Sequence, residues 1–489
     1  MHRFSKRARI TIIIITIIAI ILCAFGVYKY QKIRLFDKSE YKELCSNLEL
    51  DGEQFDKQSD LRDYITHWAD ENELKYHLDD ADNIIFERSA AARKKSVSPT
   101  VFIVNYNYDN AVENRKVLAG AAMVALTELD SGKSTVVFVN NEKNDGSAYA
   151  ALDPSIFDNK AKVIYLDYGK QTYISTRSYA QLDEQVIVPA ETEEVNCDTA
   201  IKIRIGGIKS DVIDTGITKH TNPISSFSTI LTRLKTKSTI SQIADIKVKN
   251  KGYMYPTGIE FTVLLNSYSV EGFISYLDKR VEAFEKANSD DNPECYYEYE
   301  VLDNDSDEFP SSAYSKATFE KLTTTLYALK NGVYRYEEDE EVPEGYQDQA
   351  IYGITCVRQL TANDDSIVID LTSQAMNSEK MSALTRDNAA AAELAGCSIV
   401  KMDGYDVYEN KKDGLVRTLR TTYFKVNDIT GNNVTLNEYN DTYFTPMTFI
   451  SKINSKLDIV HVKYCSKTAS VLTNMLLCYL ETKGNFLSL

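Results

Sequence analysis

Carboxylates and amides follow a predicted strand in the stretch FIVNYNYDNAVEN, residues 102–114. The first three residues of the stretch are strong strand formers, and polar side chains follow within a few positions. These side chains are Asn105, Asn107, Asp109 and Glu113. Open α/β sheets place their sites at the carboxyl ends of strands. The stretch therefore indicates a metal site, the remnant of a metal site, or a polar loop.

The elements around this stretch predict an α/β domain with a mostly parallel sheet. The apolar runs at 135–139 and 162–167 are continuous, which is typical of strands that are buried on both faces. Strands that alternate with helices along the chain form mostly parallel sheets. The predicted strands are 82–86, 100–104, 135–139 and 162–167, and the predicted helices are 59–73 and 118–129.

The pattern changes after residue 196 and predicts a second, α+β domain. Isoleucine alternates with Lys and Arg over residues 201–205, which indicates a strand with one exposed face. Its further predicted elements are strands at 259–265, 366–371 and 398–402 and helices at 224–234, 270–287 and 378–395. A helix, a strand and a helix then follow at 415–424, 457–462 and 469–481. We therefore predict an α/β domain over 42–198 and 403–489, interrupted by an α+β domain over 199–402.

The N-terminus predicts a membrane anchor. Residues 10–28 contain no charged side chain and are long enough to cross a bilayer as one helix. Basic residues precede this run, which keeps the short tail 1–9 in the cytoplasm by the positive-inside rule. A cleaved signal peptide is the alternative, but no small-residue cleavage site follows the run. The sequence thus predicts a single-pass signal anchor, a stalk at 29–41 and an extracytoplasmic remainder.

Length and charge limit the classes of function. The 489 residues are too many for one ordinary core, which favours two domains. The net charge is −16, and the first 34 residues hold seven Lys and Arg without an acid, so the remainder carries −23. A domain this acidic is a poor ligand for nucleic acid or for an anionic membrane surface. The cysteines are scattered without a CxxC pair, which excludes a zinc ribbon.

A series of local phrases resembles one known family, the aminoacyl-histidine dipeptidases (peptidase D, carnosinase-like), which belong to the two-zinc exopeptidases. The phrases are LRDYITHWADENEL (61–74), DNIIFERSAA (82–91), TVFIVNYNYD (100–109), NRKVLAGAAMVALTEL (114–129), STVVFVNNEKNDGSAYAAL (134–152), KVIYLDYG (162–169) and IADIKVKNKGYMYPTGIEFTV (243–263). The resemblance covers the chain from about residue 42 to its end. It implies a zinc-binding catalytic domain over 42–198 and 403–489, with 199–402 as a lid or dimerisation domain.

The resemblance also implies where catalytic groups would lie, and here the sequence departs from the family. The family's His-x-Asp pair falls on Asn107 and Asp109, so the imidazole is replaced and its orienting carboxylate remains. The family's general base falls on Asn141, and an amide cannot take a proton from water. The lid histidine that polarises the substrate carbonyl falls near Val212. We therefore expect a degenerate member of the family that lacks its base.

The implied metal positions are similarly altered. The family's metal ligands fall on Asn107, Glu113, Glu142 and Asp167. These are hard oxygen donors, which suit a single Ca²⁺ or Mg²⁺ ion better than zinc. The same side chains could instead form hydrogen bonds at strand ends, leaving a vestigial site. We expect no cofactor, zinc if the chain is active, or one Ca²⁺ or Mg²⁺ ion.

The histidines do not restore a zinc site. The chain has five, namely His2, His67, His77, His220 and His461. The family's last zinc-binding histidine should lie in a loop after the strand at 457–462, whereas His461 falls inside that strand. His220 is expected to cap or line a loop. Zinc would then depend almost entirely on oxygen ligands, contrary to its preference.

Three functions follow from the sequence. The favoured one is a membrane-anchored, extracytoplasmic peptidase-fold protein that is catalytically inactive and binds a peptide or cell-surface ligand. The alternative is an active metal-dependent dipeptidase with altered ligands. The third is a structural protein that forms a homodimer through the inserted domain. No nucleic-acid partner is expected.

Overall fold

The computed structural model describes most of the chain after residue 54. The described residues are 16–22, 55–89, 97–108, 111–126, 132–158, 160–169, 171–209, 213, 221–237, 240–250, 255–302, 304–329, 331–337, 342, 351–430, 436–465 and 467–482. Only 16–22 of the predicted anchor at 10–28 is among them, and these residues are helical. None of the described helices is long and apolar enough to cross a membrane. The tail at 1–9 and the stalk at 29–41 lie outside the described residues, so the anchor stays a prediction.

Strands and helices alternate along most of the chain, as the sequence predicts. The helices are α1 Gln58–Glu71, α2 Ala111–Leu126, α3 Ser147–Ala150, α4 Pro223–Thr236, α5 Ser267–Asn288, α6 Lys316–Ala328, α7 Ser378–Leu394, α8 Gly414–Thr430, α9 Met447–Ile453 and α10 Ala469–Thr482. The strands are β1 Tyr76–Leu78, β2 Ile84–Arg88, β3 Thr100–Tyr106, β4 Ser134–Asn140, β5 Lys162–Tyr168, β6 Tyr173–Ser175, β7 Arg177–Ser178, β8 Ala180–Pro189, β9 Thr192–Glu194, β10 Thr199–Gly206, β11 Ser241–Lys249, β12 Gly258–Leu265, β13 Tyr296–Leu302, β14 Ser312–Tyr314, β15 Gly332–Arg335, β16 Ile351–Ala362, β17 Ser366–Ala375, β18 Ser398–Tyr405, β19 Tyr408–Glu409, β20 Asn437–Glu438 and β21 Asp458–Tyr464.

The first domain is built on an eight-stranded sheet in the order β1-β2-β4-β3-β5-β21-β6-β20. Its four central strands, β4, β3, β5 and β21, are parallel to one another. Strands on both sides of this centre pair antiparallel with their neighbours. These antiparallel pairs are β1 with β2, β2 with β4, and β21 with β6. The predicted mostly parallel sheet is therefore a mixed one with a parallel centre. The central strands are apolar on both faces, which requires helices on both sides of the sheet.

Helices cover both faces of this sheet. One core cluster joins α1, α2, α8 and α10 to one face, and a smaller cluster joins α3 and α9 to the other. The alanines of α2 let its backbone approach the sheet and α10 closely. At Gly120 a Cβ atom would come within 2.9 Å of Thr473 Oγ1. Each fully buried Leu, Ile or Val side chain stabilises this packing by about 1.5–3 kcal/mol.

The inserted domain contains two antiparallel sheets that share one apolar core. The four-stranded sheet has the order β11-β12-β10-β13, and the five-stranded sheet has the order β15-β16-β17-β8-β18. In β10 the isoleucines are buried, and Lys202 and Arg204 form ion pairs with Glu260 on the other face, as the alternation predicts. Strand β8 precedes the predicted start of the insert at residue 199, yet it pairs with β17 and β18.

A buried carboxyl group of the five-stranded sheet makes stability depend on pH. Glu184 of β8 is 1% exposed and accepts a hydrogen bond of 3.4 Å from Asn388 Nδ2. Burial raises the pKa of Glu184 by more than Asn388 and the charge of Lys401 lower it. A carboxyl whose pKa is higher in the folded state contributes stability at low pH, and this is lost as the pH rises through that pKa.

Replacing Glu184 by glutamine removes this titration. We expect the Tm of Glu184→Gln to exceed that of the wild type at about pH 8, with the difference shrinking toward about pH 4. Thermal unfolding followed by circular dichroism across this range measures it. The exposed Glu282→Gln should show no such trend. A variant that loses stability equally at both ends of the range would contradict the expectation.

Candidate functional site

The polar strand ends predicted from the sequence meet at one edge of the parallel sheet. Asn107 follows β3 and is 2% exposed, Asn141 and Glu142 follow β4, and Asp167 lies near the end of β5. Neighbouring strands β3, β4 and β5 are in parallel register, so their carboxyl ends lie side by side. Asp109, Val212, His220 and the side chain of Glu113 lie outside the described residues.

Side-chain amides hold the loops of this edge together. Gln58 of α1 donates through Nε2 to the carbonyl of Tyr106 at 3.1 Å and to Oδ1 of Asn140 at 2.8 Å. Its Oε1 accepts the backbone N–H of Tyr108 at 3.0 Å. Asn83 adds a further link, since its Oδ1 accepts the N–H of Asn140 at 2.9 Å. The loops after β3 and β4 are thus connected to α1 through one buried glutamine.

Removing this glutamine should destabilise the edge without any metal being involved. Gln58→Ala leaves several buried polar groups without partners, which we expect to lower the free energy of unfolding by about 2 kcal/mol. Urea denaturation with a chelator present measures it. Lys57→Ala, an exposed neighbour, is the matched control and should unfold like the wild type. If metal binding stabilised this edge, the decrease in the free energy of unfolding caused by Gln58→Ala would change when zinc replaces the chelator.

Asn107 and Asn141, where the resemblance predicts a ligand and the base, are also engaged. Nδ2 of Asn107 lies 3.4 Å from the carbonyl of Asn141, and the backbone N–H of Asn141 donates to the carbonyl of Tyr106 at 3.1 Å. Nδ2 of Asn141 donates to Oδ1 of Asn144 at 3.1 Å. Glu142 beside them is exposed. These side chains brace the loops, and neither amide can act as a general base.

A buried histidine lies close to Asp167. His461 is in β21, as the sequence predicts, and is completely buried. Its Nδ1 donates to the carboxylate of Asp441 at 2.8 Å. Asp441 is also completely buried and accepts a second hydrogen bond of 2.8 Å from the hydroxyl of Tyr173. The imidazole packs against Tyr165, with ring centroids 4.9 Å apart.

Asp167 lies between this histidine and a lysine. Its Oδ2 is 3.7 Å from Nε2 of His461 and 3.8 Å from Nζ of Lys463. The Lys463 ammonium also donates to the hydroxyl of Tyr443. Burial raises the pKa of Tyr165 well above its ordinary value, and the carboxylate of Asp167 raises it further. Tyr165 therefore stays neutral beside this charged group.

Sequence reasoning identified Asp167 but not its partners. His461 and Lys463 are two residues apart on one strand, so their side chains share a face. The sequence could therefore have predicted that the side chains of His461 and Lys463 lie on the same face of the sheet. No comparable signal exists for Asp441, Tyr173 and Tyr443, because they reach the site from loops and a short strand outside the predicted elements.

The residues present do not fit a two-zinc centre. Such a centre needs imidazoles, a bridging carboxylate and a free glutamate base. Asn107 and Asn141, where the resemblance predicts the first imidazole and the base, carry amides, and Asp167 lies 3.8 Å from an ammonium group. Within the described part of the chain, no three His, Cys, Asp or Glu side chains come together in a way that could hold a metal ion. The Ca²⁺ or Mg²⁺ site at Asn107, Glu113, Glu142 and Asp167 stays a prediction.

Comparisons with known proteins bear on the fold. No family model matches the chain, and no curated protein matches its sequence. An aminoacyl-histidine dipeptidase from Vibrio alginolyticus superposes with a TM-score of 0.54 at 12% identity, over 92% of this chain and 98% of that one. The chain has a dipeptidase-like fold. A tripeptidase from Staphylococcus aureus (TM-score 0.47, 8% identity, 92% and 99% covered) and the aminopeptidase PepT from Bacillus cereus (0.46, 11%, 90% and 96%) superpose less well.

The dipeptidase-like fold agrees with the resemblance read from the sequence. At this identity the likeness concerns the fold alone. What reaction or binding the site supports depends on the residues of this chain.

Proposed function

We propose that this chain is a binding protein on a dipeptidase-like fold, which holds a peptide or cell-surface ligand and does not hydrolyse it through a two-metal route. One observation carries the proposal. The edge of the sheet where hydrolysis would occur is occupied by hydrogen-bonded amides and by a lysine and a buried histidine beside its carboxylate. Amides brace the loops after β3 and β4, and Lys463 and His461 surround Asp167.

The chemistry of the individual groups supports non-hydrolytic binding. Deprotonating water needs a carboxylate or imidazole with an available lone pair. Asn141 has only an amide, and the imidazole of His461, with Nδ1 bound to Asp441, is completely buried away from solvent water. Amide, hydroxyl and carboxylate groups can nevertheless hydrogen-bond a peptide backbone, which presents donors and acceptors of its own. The acidic character of the chain further favours ligands that carry basic groups.

We also propose that the protein acts outside the cell, held to the membrane by the apolar run at 10–28. The basic residues before this run and the absence of charge within it support this placement. Expressing the full chain with reporter fusions at either end tests it. A C-terminal reporter that is active only outside the cell is expected. A soluble, cytoplasmic full-length protein would contradict this part of the proposal.

A homodimer through the inserted domain is proposed as well. Strand β18 lies at the edge of the five-stranded sheet, and Val400 and Met402 on it are 44% and 56% exposed. Exposed apolar residues on an edge strand favour pairing with another chain. Light scattering of the full chain should give twice the monomer mass, and Met402→Lys should reduce it. A wild-type monomer would refute the dimer.

The function is tested by metal content and turnover together. The full-length protein, purified in mild detergent, is exposed to zinc and then freed of unbound metal. We expect no tightly bound zinc pair and no hydrolysis of dipeptides. A panel of di- and tripeptides should raise the Tm with a chelator present, since ligands that bind only the folded state stabilise it. Two tightly bound zinc ions with dipeptide hydrolysis would instead establish an active metallopeptidase.

A further inference from the structure

We propose that the ammonium group of Lys463 takes the place of a metal cation beside Asp167, and that it keeps divalent ions out of this site. The inference rests on the proposed function and deepens it. It concerns why a dipeptidase-like sheet edge that retains a carboxylate and a buried imidazole would bind no metal.

Lys463 is held beside Asp167 by the sheet itself. The two residues are register partners on the adjacent parallel strands β21 and β5. The side chain of Lys463 is 12% exposed, and its Nζ lies 3.8 Å from Oδ2 of Asp167. The hydroxyl of Tyr443 accepts a hydrogen bond from the ammonium, and the Tyr443 ring centroid is 4.6 Å away. A carboxylate, a hydroxyl and an aromatic face therefore fix the position of this charge.

A glycine makes room for this lysine. Gly169 follows β5, and its backbone N–H donates to the carbonyl of Tyr464 at 2.7 Å. A Cβ atom on Gly169 would lie 2.4 Å from Cε of Lys463 and 2.8 Å from its Cδ. The aliphatic part of the lysine thus runs directly over the glycine. Any larger residue at 169 would force the side chain of Lys463 to shift from its position beside Asp167.

Two of the groups around the ammonium carry atoms that could contact one metal ion. Nε2 of His461 is buried, has no hydrogen-bond partner among the described residues, and lies 3.7 Å from the same Oδ2 of Asp167. Asp441 holds the other ring nitrogen, which is how carboxylates orient histidines that bind metals. Metal–ligand distances to nitrogen and oxygen are about 2 Å, so one ion could contact both Nε2 and Oδ2.

Lys463 is the group that opposes such an ion. A divalent cation that contacts Oδ2 would lie within a few ångströms of Nζ, where two like charges repel strongly because little water screens them. The lysine already neutralises Asp167, so the carboxylate has no further need of a cation. Removing the ammonium should therefore unmask a site that the imidazole and the carboxylate have retained.

The test uses Lys463→Met in the full-length protein, with zinc alone as the probe. Isothermal titration after removal of bound metal should show one zinc ion bound at least tenfold more tightly by the variant than by the wild type. Lys452→Met is the matched control, since Lys452 also lies over a tyrosine ring, at 3.6 Å from the centroid of Tyr405. It should bind zinc like the wild type. Adding Asp167→Asn to Lys463→Met should abolish the gain.

Gly169→Ala provides a second route that keeps every native charge. It displaces Lys463 and should give part of the gain in zinc affinity, even if Lys463→Met fails to fold. A folded Lys463→Met that binds zinc no better than the wild type would overturn the inference and leave the proposed function intact. Two zinc ions in the wild type, with dipeptide hydrolysis, would overturn the proposed function and the inference with it.

Discussion

Replacing Asp441 by alanine is expected to lower the free energy of unfolding by about 3–5 kcal/mol. Asp441 is completely buried and accepts hydrogen bonds from Nδ1 of His461 and from the hydroxyl of Tyr173, both at 2.8 Å. The substitution leaves Nδ1 of the completely buried His461 without a partner, and it removes the acceptor of the partly buried Tyr173 hydroxyl. Urea denaturation followed by circular dichroism gives the change directly.

A solvent-exposed carboxylate of the same protein provides the control for this prediction. Asp413 pairs with Arg417 on the first turn of α8, and both side chains are mostly exposed. Because exposed pairs contribute little, Asp413→Ala should unfold at the same urea concentration as the wild type within error. Equal losses for Asp413→Ala and Asp441→Ala would show that the buried pair contributes nothing special. The hydrogen bonds of Asp441 would then not stabilise the sheet edge.

Replacing Gly207 by alanine should be about as costly, for a different reason. Gly207 follows β10 with a φ of +72°, and a Cβ atom there would lie 2.0 Å from the carbonyl oxygen of Glu294. That oxygen belongs to the backbone leading into β13, which pairs with β10, so it cannot rotate away. Backbone strain and overlap together should cost about 3 kcal/mol or more.

Gly396 separates these two contributions. It has a φ of +70°, yet a Cβ atom there would meet nothing within 4 Å. Gly396→Ala should therefore cost only the strain of a left-handed backbone, about 1 kcal/mol. The difference between the two variants, measured by urea denaturation, isolates the overlap with Glu294. Equal stabilities for the two alanine variants would show that the carbonyl of Glu294 can move away from residue 207, so that no overlap occurs.

The fold could be predicted largely because its elements have strong local periods. The apolar runs of β3, β4 and β5 and the helical spacing in α1 each depend on neighbouring residues alone. Strands β8 and β16 escaped prediction for a physical reason. Buried Asp183 and Glu184 interrupt the apolar pattern of β8, and a register shift at Arg358 breaks the alternation in β16.

The sequence predicted which residue types follow the central strands, but it did not predict the contacts between them. That Asn141 cannot act as a base follows from the residue type, so no structure was needed to infer it. The pairing of Gln58 with Tyr106 and Asn140 joins residues 48 and 82 positions apart. Such contacts produce no periodic pattern in the sequence, because they depend on which loops the sheet brings to one edge.

The sequence by itself determined the alternation of strands and helices and the amide side chains of Asn107 and Asn141. Only the tertiary structure decided what surrounds Asp167. Tyr173 and Asp441 are 268 residues apart along the chain, and Lys463 reaches Asp167 only because β21 returns to pair with β5. Local sequence patterns predict the alternation of side chains along a strand and the chemistry of each residue. The neighbours of a buried charge are set by topology, which brings residues together without regard to their separation in sequence.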